Sequence, residues 1–268
     1  MRPNVLSIAG SDPSGGAGVQ ADLKTFAALG CHGMAVVTAL TAQNSRGVRA
    51  IHAPPPEFLA AQIDAVFDDI DVAAVKIGML GNAANVEALA RCLSARAPRF
   101  VALDPVLASS SGDDFGAAEV AAAIMAALLP HVHIITPNAP EAARLTNSPI
   151  AVDLDGLRRQ GAALMARGAR AVLLKGGHMP GPASVDLLID QTGEAIFSAP
   201  RVATNNTHGT GCALSSAIAA YVAMGAPLRE AVQKAKDYLT GALTTDGDLA
   251  VGGGAGPVNH FWRLWPSA

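Results

Sequence analysis

With 268 residues, half of them hydrophobic, and a mean hydropathy of +0.31, the chain is long enough for one large α/β domain with a full core. A formal net charge of −3 without a Lys/Arg block, and only 4% aromatic residues, argue against the electrostatic and stacking footprints of a nucleic-acid binder. No apolar run has the length of a membrane span, and three widely spaced cysteines, Cys31, Cys92 and Cys212, form neither a disulfide framework nor a metal-ligand pattern. The segment Asn4 to Gly10 lacks the pattern of a signal peptide, so a cytoplasmic location is expected.

Taken in order, Val5 to Ala9 reads as a buried strand. Gly10-Ser11-Asp12-Pro13-Ser14-Gly15-Gly16-Ala17-Gly18 then makes a turn of small residues before a helix, Val19 to Leu29, ended by Gly30. The turn is neither GxGxxG nor GxxxxGK[ST], so it is a poor dinucleotide or Walker loop but suits close approach of a small substrate. Met34 to Ala42 reads as a second strand ending in Gln43-Asn44-Ser45, and Arg49 to His52 as a short strand outside the main sheet. After Pro54-Pro55-Pro56, helical patterns at Glu57 to Asp69 and Ala83 to Ala95 flank a strand at Ala73 to Leu80. Phe100 to Leu103 runs into Asp104-Pro105 and a polar loop, Ser109 to Asp114; a helix covers Gly116 to Leu129. Val132 to Thr136 is a strand closed by Pro137-Asn138-Ala139-Pro140-Glu141, and a helix at Leu154 to Arg167 leads to a strand at Ala171 to Leu174. Ser184 to Ile189 and Glu194 to Ser198 flank a hairpin turn with Gly193. Two helices follow, Gly211 to Met224 and Leu228 to Thr244, and then a glycine-rich tail. Alternating strands and helices predict a mostly parallel sheet covered on both faces.

Gln43, Met79, Asp104, Asn138, Glu141 and Lys175 follow directly on predicted strands, and in a parallel sheet such positions share one rim. A carboxamide at Gln43 can both donate to and accept from a heterocycle. Asp104 and Glu141 are hard oxygen ligands suited to Mg²⁺, and Lys175 is a point charge suited to phosphate. Asn205-Asn206-Thr207-His208-Gly209-Thr210-Gly211-Cys212 opens onto a helix N-terminus, where free N–H groups and the helix dipole favour an anion and a thiolate. On these residues alone, an anion site and a plain glycine turn before a buried helix stand side by side.

The motifs Ala9-Gly10-Ser11-Asp12-Pro13-Ser14-Gly15-Gly16-Ala17-Gly18-Val19-Gln20-Ala21-Asp22, Thr41-Ala42-Gln43-Asn44, Lys76-Ile77-Gly78-Met79 and Asp104-Pro105-Val106 occur in this order. They continue with Thr136-Pro137-Asn138-Ala139-Pro140-Glu141, Lys175-Gly176-Gly177-His178, Thr207 to Cys212 and Gly256-Pro257-Val258-Asn259-His260. Together they span nearly the whole chain, which resembles the bacterial hydroxymethylpyrimidine/phosphomethylpyrimidine kinases of the ribokinase-like superfamily. The resemblance implies a single three-layer α/β/α domain over residues 1–268 with a small β lid. It also implies ATP and Mg²⁺ as co-substrate and cofactor, a pyrimidine alcohol and its monophosphate as phosphoryl acceptors, and a homodimer. Gln43, Gly10, Ala17, Asp22 and Met79 are then expected at the pyrimidine, and Lys175, Asn138 and His208 at ATP. Asp104 and Glu141 are expected at the metal, and Gly209, Thr210, Gly211 and Cys212 at the transferring phosphoryl group. Cys212 stands where sugar kinases of the superfamily carry an aspartate. One departure is Leu107-Ala108-Ser109-Ser110-Ser111-Gly112, which lacks the lysine or threonine of the family loop, so no extra phosphate contact is expected there. The competing readings are a pyridoxal kinase of the same superfamily and a non-catalytic metabolite-binding module.

Overall fold

The computed structural model describes residues 1–107, 117–177, 179–245 and 249–265. The polar loop at Ser109 to Asp114, the predicted helix start at Gly116, and His178 lie outside these residues. In chain order the elements are β1 (Asn4–Ala9), α1 (Gly18–Ala28), β2 (His32–Val37), β3 (Leu40–Asn44), β4 (Gly47–His52), α2 (Pro56–Phe67), β5 (Ala74–Ile77), α3 (Ala83–Arg96) and β6 (Val101–Leu103). They continue with α4 (Ala117–Ala123), β7 (Ile134–Ile135), α5 (Ala139–Thr146), α6 (Leu154–Ala166), β8 (Ala171–Lys175), β9 (Ala183–Asp190), β10 (Gly193–Pro200), α7 (Thr210–Ala223) and α8 (Leu228–Thr244). The winding of α4 runs on through a π turn at Ile124–Leu128 and a 3-10 turn at Leu129–His131.

Eight strands pair in the order β10-β9-β8-β7-β6-β5-β1-β2, and only β9 and β10 run antiparallel to their neighbours. Successive strand residues point to opposite faces, and the core divides accordingly. Leu6, Ile8, Val172 and Leu174 pack into one apolar cluster with residues of α2 to α6. Val5, Ala171 and Leu173 pack into another with residues of α1, α7 and α8. Both clusters are buried, so strands with apolar residues on both faces are the form this sheet requires. The alanine-rich composition has its place here: Ala213, Ala217, Ala219 and Ala220 of α7 are fully buried, which brings that helix close to the sheet.

The sheet order positions the site. The chain builds outward from β1 to β2, then returns to the far side of β1 with β5 and continues in the opposite direction. The crevice between the C-terminal ends of β1 and β5 is therefore a topological switch point, where open α/β sheets bind ligands. Gly10 N donates to Met79 O across it at 3.1 Å.

Two elements differ from the sequence reading. The predicted strand Met34 to Ala42 is divided. Its first part, in β2, belongs to the main sheet, and β3 pairs antiparallel with β4 in a separate two-stranded sheet. The break is at Thr38, whose N–H donates to Ala9 O and whose hydroxyl donates to Met79 O, closing the main-sheet edge. Gln43 thus reaches the crevice from a lid rather than from the sheet rim, and a bulge between Ala42 and Gln43 re-aims it. The second difference is α5, a helix that the sequence reading does not place after the strand that Pro137 to Glu141 closes. Asn138 and Glu141 cap each other's backbone N–H groups at 2.9 and 2.8 Å, a capping box that starts a helix with proline in its first turn.

Candidate active site

A cavity of about 720 Å³ runs along the C-terminal edge of the sheet, from the lid to α8. At its centre lies the turn before α7. Gly209 has φ +81°, a left-handed conformation that glycine adopts without strain. A side chain there would have no room, because an added Cβ would lie 1.9 Å from Gly16 O. The anion loop is therefore packed directly on the Gly10–Gly18 turn. Gly211 faces the other way: a Cβ would lie 3.0 Å from Asp104 Oδ2 and 3.2 Å from Lys175 Nζ. Thr210 N donates back to Thr207 O at 3.3 Å. The N–H groups of Gly211 and Cys212 fall in the first helical turn, where no intrahelical acceptor exists.

Cys212 lines this cavity, but its thiol is not activated as its place on the helix suggests. Burial pushes it up to about 11, and the carboxylates of Asp22 and Asp104 push the same way against Lys76 and the Gly18 amide. The expected thiolate is thus replaced by a neutral thiol at physiological pH.

Below the anion loop, Lys175 Nζ donates to Asp104 Oδ1 at 2.7 Å and lies 3.8 Å from Glu141 Oε2. Thr136 Oγ1 also donates to Asp104 Oδ1, at 3.2 Å. Burial alone would lower the Lys175 pKa, but Asp104 and Glu141 hold it above the ordinary lysine range. Burial raises Glu141 to about 7, with Lys175 opposing and Asp104 reinforcing the rise. Asp104 and Glu141 line the cavity, but among the described residues no cluster of three acidic, His or Cys side chains could cage a metal. That donor set fits Mg²⁺, which is commonly held by one or two carboxylates plus water and substrate phosphates.

At the lid end, Gly10, Ala17, Thr41, Gln43 and Met79 line the cavity. The Gly10–Gly18 turn is organised by Asp12, whose carboxylate accepts from the N–H groups of Ser14, Gly16 and Ala17 and from the Ser14 hydroxyl. His208 Nε2 completes this set at 2.8 Å from Asp12 Oδ2. Burial raises the Asp12 pKa, but the hydrogen bonds from His208 and Ser14 outweigh it and bring it down to about 2. Gln43 Nε2 lies 3.4 Å from His208 Nε2, and Thr41 donates to Ser11 O at 2.8 Å. The hydrogen bonds of the His208 ring thus go to the Gly10–Gly18 turn and the lid, not to Asn138 or Lys175. The glycine-rich tail straps these parts together. Gly254 N donates to Ser45 Oγ at the lid tip, and Gly256 O accepts from His208 N.

Asp22 does not line the cavity. It is fully buried beneath it and pairs through both oxygens with Lys76 Nζ at 2.8 Å, while Ser7 and Ser216 donate to the same carboxylate. Its position on α1 places it under the sheet crevice rather than in it.

Residues 12–259 match the sequence model of the phosphomethylpyrimidine kinase family. The chain belongs to this family. It is 48% identical over 264 residues to the hydroxymethylpyrimidine/phosphomethylpyrimidine kinase of Escherichia coli (strain K12), covering 98% of this chain and 99% of that one. Among solved structures it is similar to Bacillus subtilis pyridoxal kinase in an ADP complex, with a TM-score of 0.91 and 32% identity over 98% of this chain and all of that one. It is also similar to phosphomethylpyrimidine kinase from Clostridium difficile 630, with a TM-score of 0.77 and 39% identity over 89% and 98% of the two chains. The three-layer architecture is the ribokinase-like fold that these kinases share.

Set on this family's fold, several cavity residues stand out that the sequence reading did not single out. Asp12 falls in the turn read for its small residues and for close approach of a substrate, where its own carboxylate carries no assigned role. Lys236 and Asp186, both buried, pair at 2.8 Å in the cavity wall, and Asp186 also accepts from Gly176 N beside Lys175. Arg201 donates to the carbonyls of Gly177, Met179, Gly181 and Ala183, tying down the segment after β8. Asp186 and Lys236 lie inside a strand and a helix, where the position at a strand end carries no signal. The available signal is that Lys236 stands at helical spacing with Val232, Leu239 and Leu243, a charge on the apolar stripe of α8.

Proposed function

We propose that this protein is an ATP-dependent kinase that phosphorylates 4-amino-5-hydroxymethyl-2-methylpyrimidine and then its monophosphate, in thiamine biosynthesis. The observation that carries the reading is the close approach of the Gly209–Cys212 turn to Asp104 and Lys175, whose charged atoms would lie 3.0 and 3.2 Å from a Cβ at Gly211, within one cavity that also holds Gln43 and Met79. Free N–H groups, a lysine and two carboxylates converging at a helix start are the parts phosphoryl transfer requires, because its loose transition state needs positioning and charge stabilisation more than covalent chemistry.

In this reading, Gln43 and Met79 hold the pyrimidine at the lid end, with the backbone of Gly10 and Ala17 against it. The acceptor oxygen attacks the γ-phosphorus as the bond to the β-phosphate oxygen breaks; ADP leaves with that oxygen, and the hydroxyl proton, made acidic as the new P–O bond forms, passes by way of the transferred phosphoryl oxygens to solvent. The N–H groups of Gly211 and Cys212 stabilise the charge on the transferring group, and Lys175 and Asn138 contact the nucleotide. Asp104 and Glu141 would hold Mg²⁺, which supplies charge neutralisation of the phosphates. Cys212, as a neutral thiol, orients the acceptor hydroxyl instead of removing its proton. We also assign a cytoplasmic homodimer; in support, Leu40 on the lid and Phe58 on α2 leave large apolar side chains in solvent.

The function is tested by a coupled assay with MgATP and three acceptors: the pyrimidine alcohol, its monophosphate and pyridoxal. Turnover of both pyrimidines is expected to exceed that of pyridoxal. Faster pyridoxal phosphorylation would reverse the assignment toward the kinase that the Bacillus subtilis neighbour represents. Tight pyrimidine binding without turnover would leave a binding module.

The role of Cys212 has its own test. Cys212→Ser keeps a hydroxyl donor and retains roughly a tenth of kcat, whereas Cys212→Ala loses on the order of 100-fold. Because the thiol titrates near 11, its ionisation adds no rising limb to kcat between pH 7 and 9. Equal activity of both variants and wild type excludes any role for the thiol, and a limb lost in Cys212→Ser restores the thiolate as base.

A further inference from the structure

The charges that line the cavity are nearly all committed to one another. Among the described residues, four carboxylates (Asp12, Asp104, Glu141, Asp186) and four permanently charged cations (Arg144, Lys175, Arg201, Lys236) face it, with His208. Asp12 is engaged by His208, Asp104 by Lys175 and Asp186 by Lys236, each at 2.7 to 2.8 Å. Arg201 is committed to backbone carbonyls. Arg144 differs. It is exposed at the cavity wall, and among the described residues its guanidinium makes no hydrogen bond or ion pair. It follows Glu141 by three residues on α5, the spacing that places two side chains on one helix face. Its field reaches the Glu141 carboxylate.

A polyphosphate carries several negative charges into a cavity where the charges of the described residues already balance. A ligand of that kind needs a donor group not spent on the protein. The anion-loop N–H groups serve one phosphoryl group; Arg144 offers a planar fork of N–H donors, matched to bidentate contact with phosphate oxygens, for the others. We propose that Arg144 is a nucleotide-binding residue that clamps the polyphosphate of the phosphoryl donor. The inference rests on the kinase reading above. The alternative role for Arg144 is structural, a cation in the last turn of α5 complementing the helix dipole. A structural role alters stability and leaves nucleotide affinity unchanged.

The test uses the full chain, with calorimetric titration of a non-hydrolysable ATP analogue and of adenosine, with Mg²⁺ present. Arg144→Met, which keeps an apolar stem of similar length, is expected to weaken the analogue roughly tenfold and leave adenosine unchanged. Arg144→Lys restores part of the loss, the pyrimidine KM is unchanged, and the melting temperature stays within about 1 °C, as for a surface substitution without partners. Unchanged analogue affinity in Arg144→Met overturns the inference, and so does equal weakening of adenosine, which would place the guanidinium on the base. Failure of the wild type to bind the analogue at all would instead strike the kinase reading itself.

Discussion

Gly209→Ala lowers kcat for the pyrimidine alcohol by about 100-fold or more, the scale seen when a single preorganised donor is lost from a charge-stabilising site. The reason is geometric. The left-handed backbone of Gly209 is itself unfavourable for alanine by about 1 kcal/mol. The larger problem is the 1.9 Å approach of the new methyl to Gly16 O, a backbone atom that no rotamer change can move. Either the Gly10–Gly18 turn or the start of α7 has to shift. The first lines the lid end of the cavity, and the second aims the N–H groups of Gly211 and Cys212. Gly225→Ala is the matching control: φ is +94°, and no heavy atom lies within 4 Å of an added Cβ. It bears the same backbone strain and keeps wild-type kcat. Steady-state kinetics of the two variants, with melting curves, separate strain from displacement. A Gly209→Ala enzyme within threefold of wild type would falsify the assignment of this turn as the phosphoryl site.

Lys76→Met destabilises the fold by about 3–5 kcal/mol, the cost of leaving one member of a buried ion pair without its partner. Both side chains are 0% exposed, and Lys76 Nζ contacts both oxygens of Asp22. Burial would lower the lysine pKa, but Asp22, with Cys212 and Asp104, raises it above the ordinary range, so Lys76 stays charged at every working pH. The hydroxyls of Ser7 and Ser216 remain as donors to Asp22, yet they cannot neutralise it. For a chain of this size the loss lowers the melting temperature by roughly 10 °C. The double variant Asp22→Asn/Lys76→Met removes both charges and recovers most of that loss, since uncompensated charge rather than lost contact is what destabilises. A double variant as unstable as the single one would assign the effect to packing. Because the pair lies beneath Cys212, the single variant also lowers kcat, and the double variant tests whether activity returns with stability.

These two residues show how unevenly the site could be read from the chain. Gly209 belongs to a motif, Gly-Thr-Gly-Cys before an apolar helix, whose chemistry follows from local rules: free N–H groups, a dipole, and no Cβ. Asp104 and Lys175 were legible in the same way, because each follows a buried strand and a parallel sheet delivers all such positions to one edge. The family pattern implies Asp22 at the pyrimidine, and the structure sets it under the crevice with Lys76. Distance along the chain cannot show that residues 54 apart form an ion pair. Cys212 is a similar case. The helix N-terminus argues for thiolate, and only the surrounding burial and the nearby Asp22 and Asp104 show that the thiol wins.

The sequence by itself determined the layered α/β fold, the order of most strands and helices, and the family, because periodicity and short motifs are local and span nearly the whole chain. It also placed Gln43, Asp104, Glu141, Lys175 and Gly209 to Cys212 among the site candidates. Only the tertiary structure decided which of them meet. The strand break at Thr38 puts Gln43 on a lid, and the capping box turns Asn138 and Glu141 into the start of a helix. The fold also pairs Asp12 with His208 across 196 residues and leaves Arg144 as a cavity cation that no described side chain engages. These are questions of which charges and backbone groups are already satisfied, and satisfaction is a property of neighbours in space.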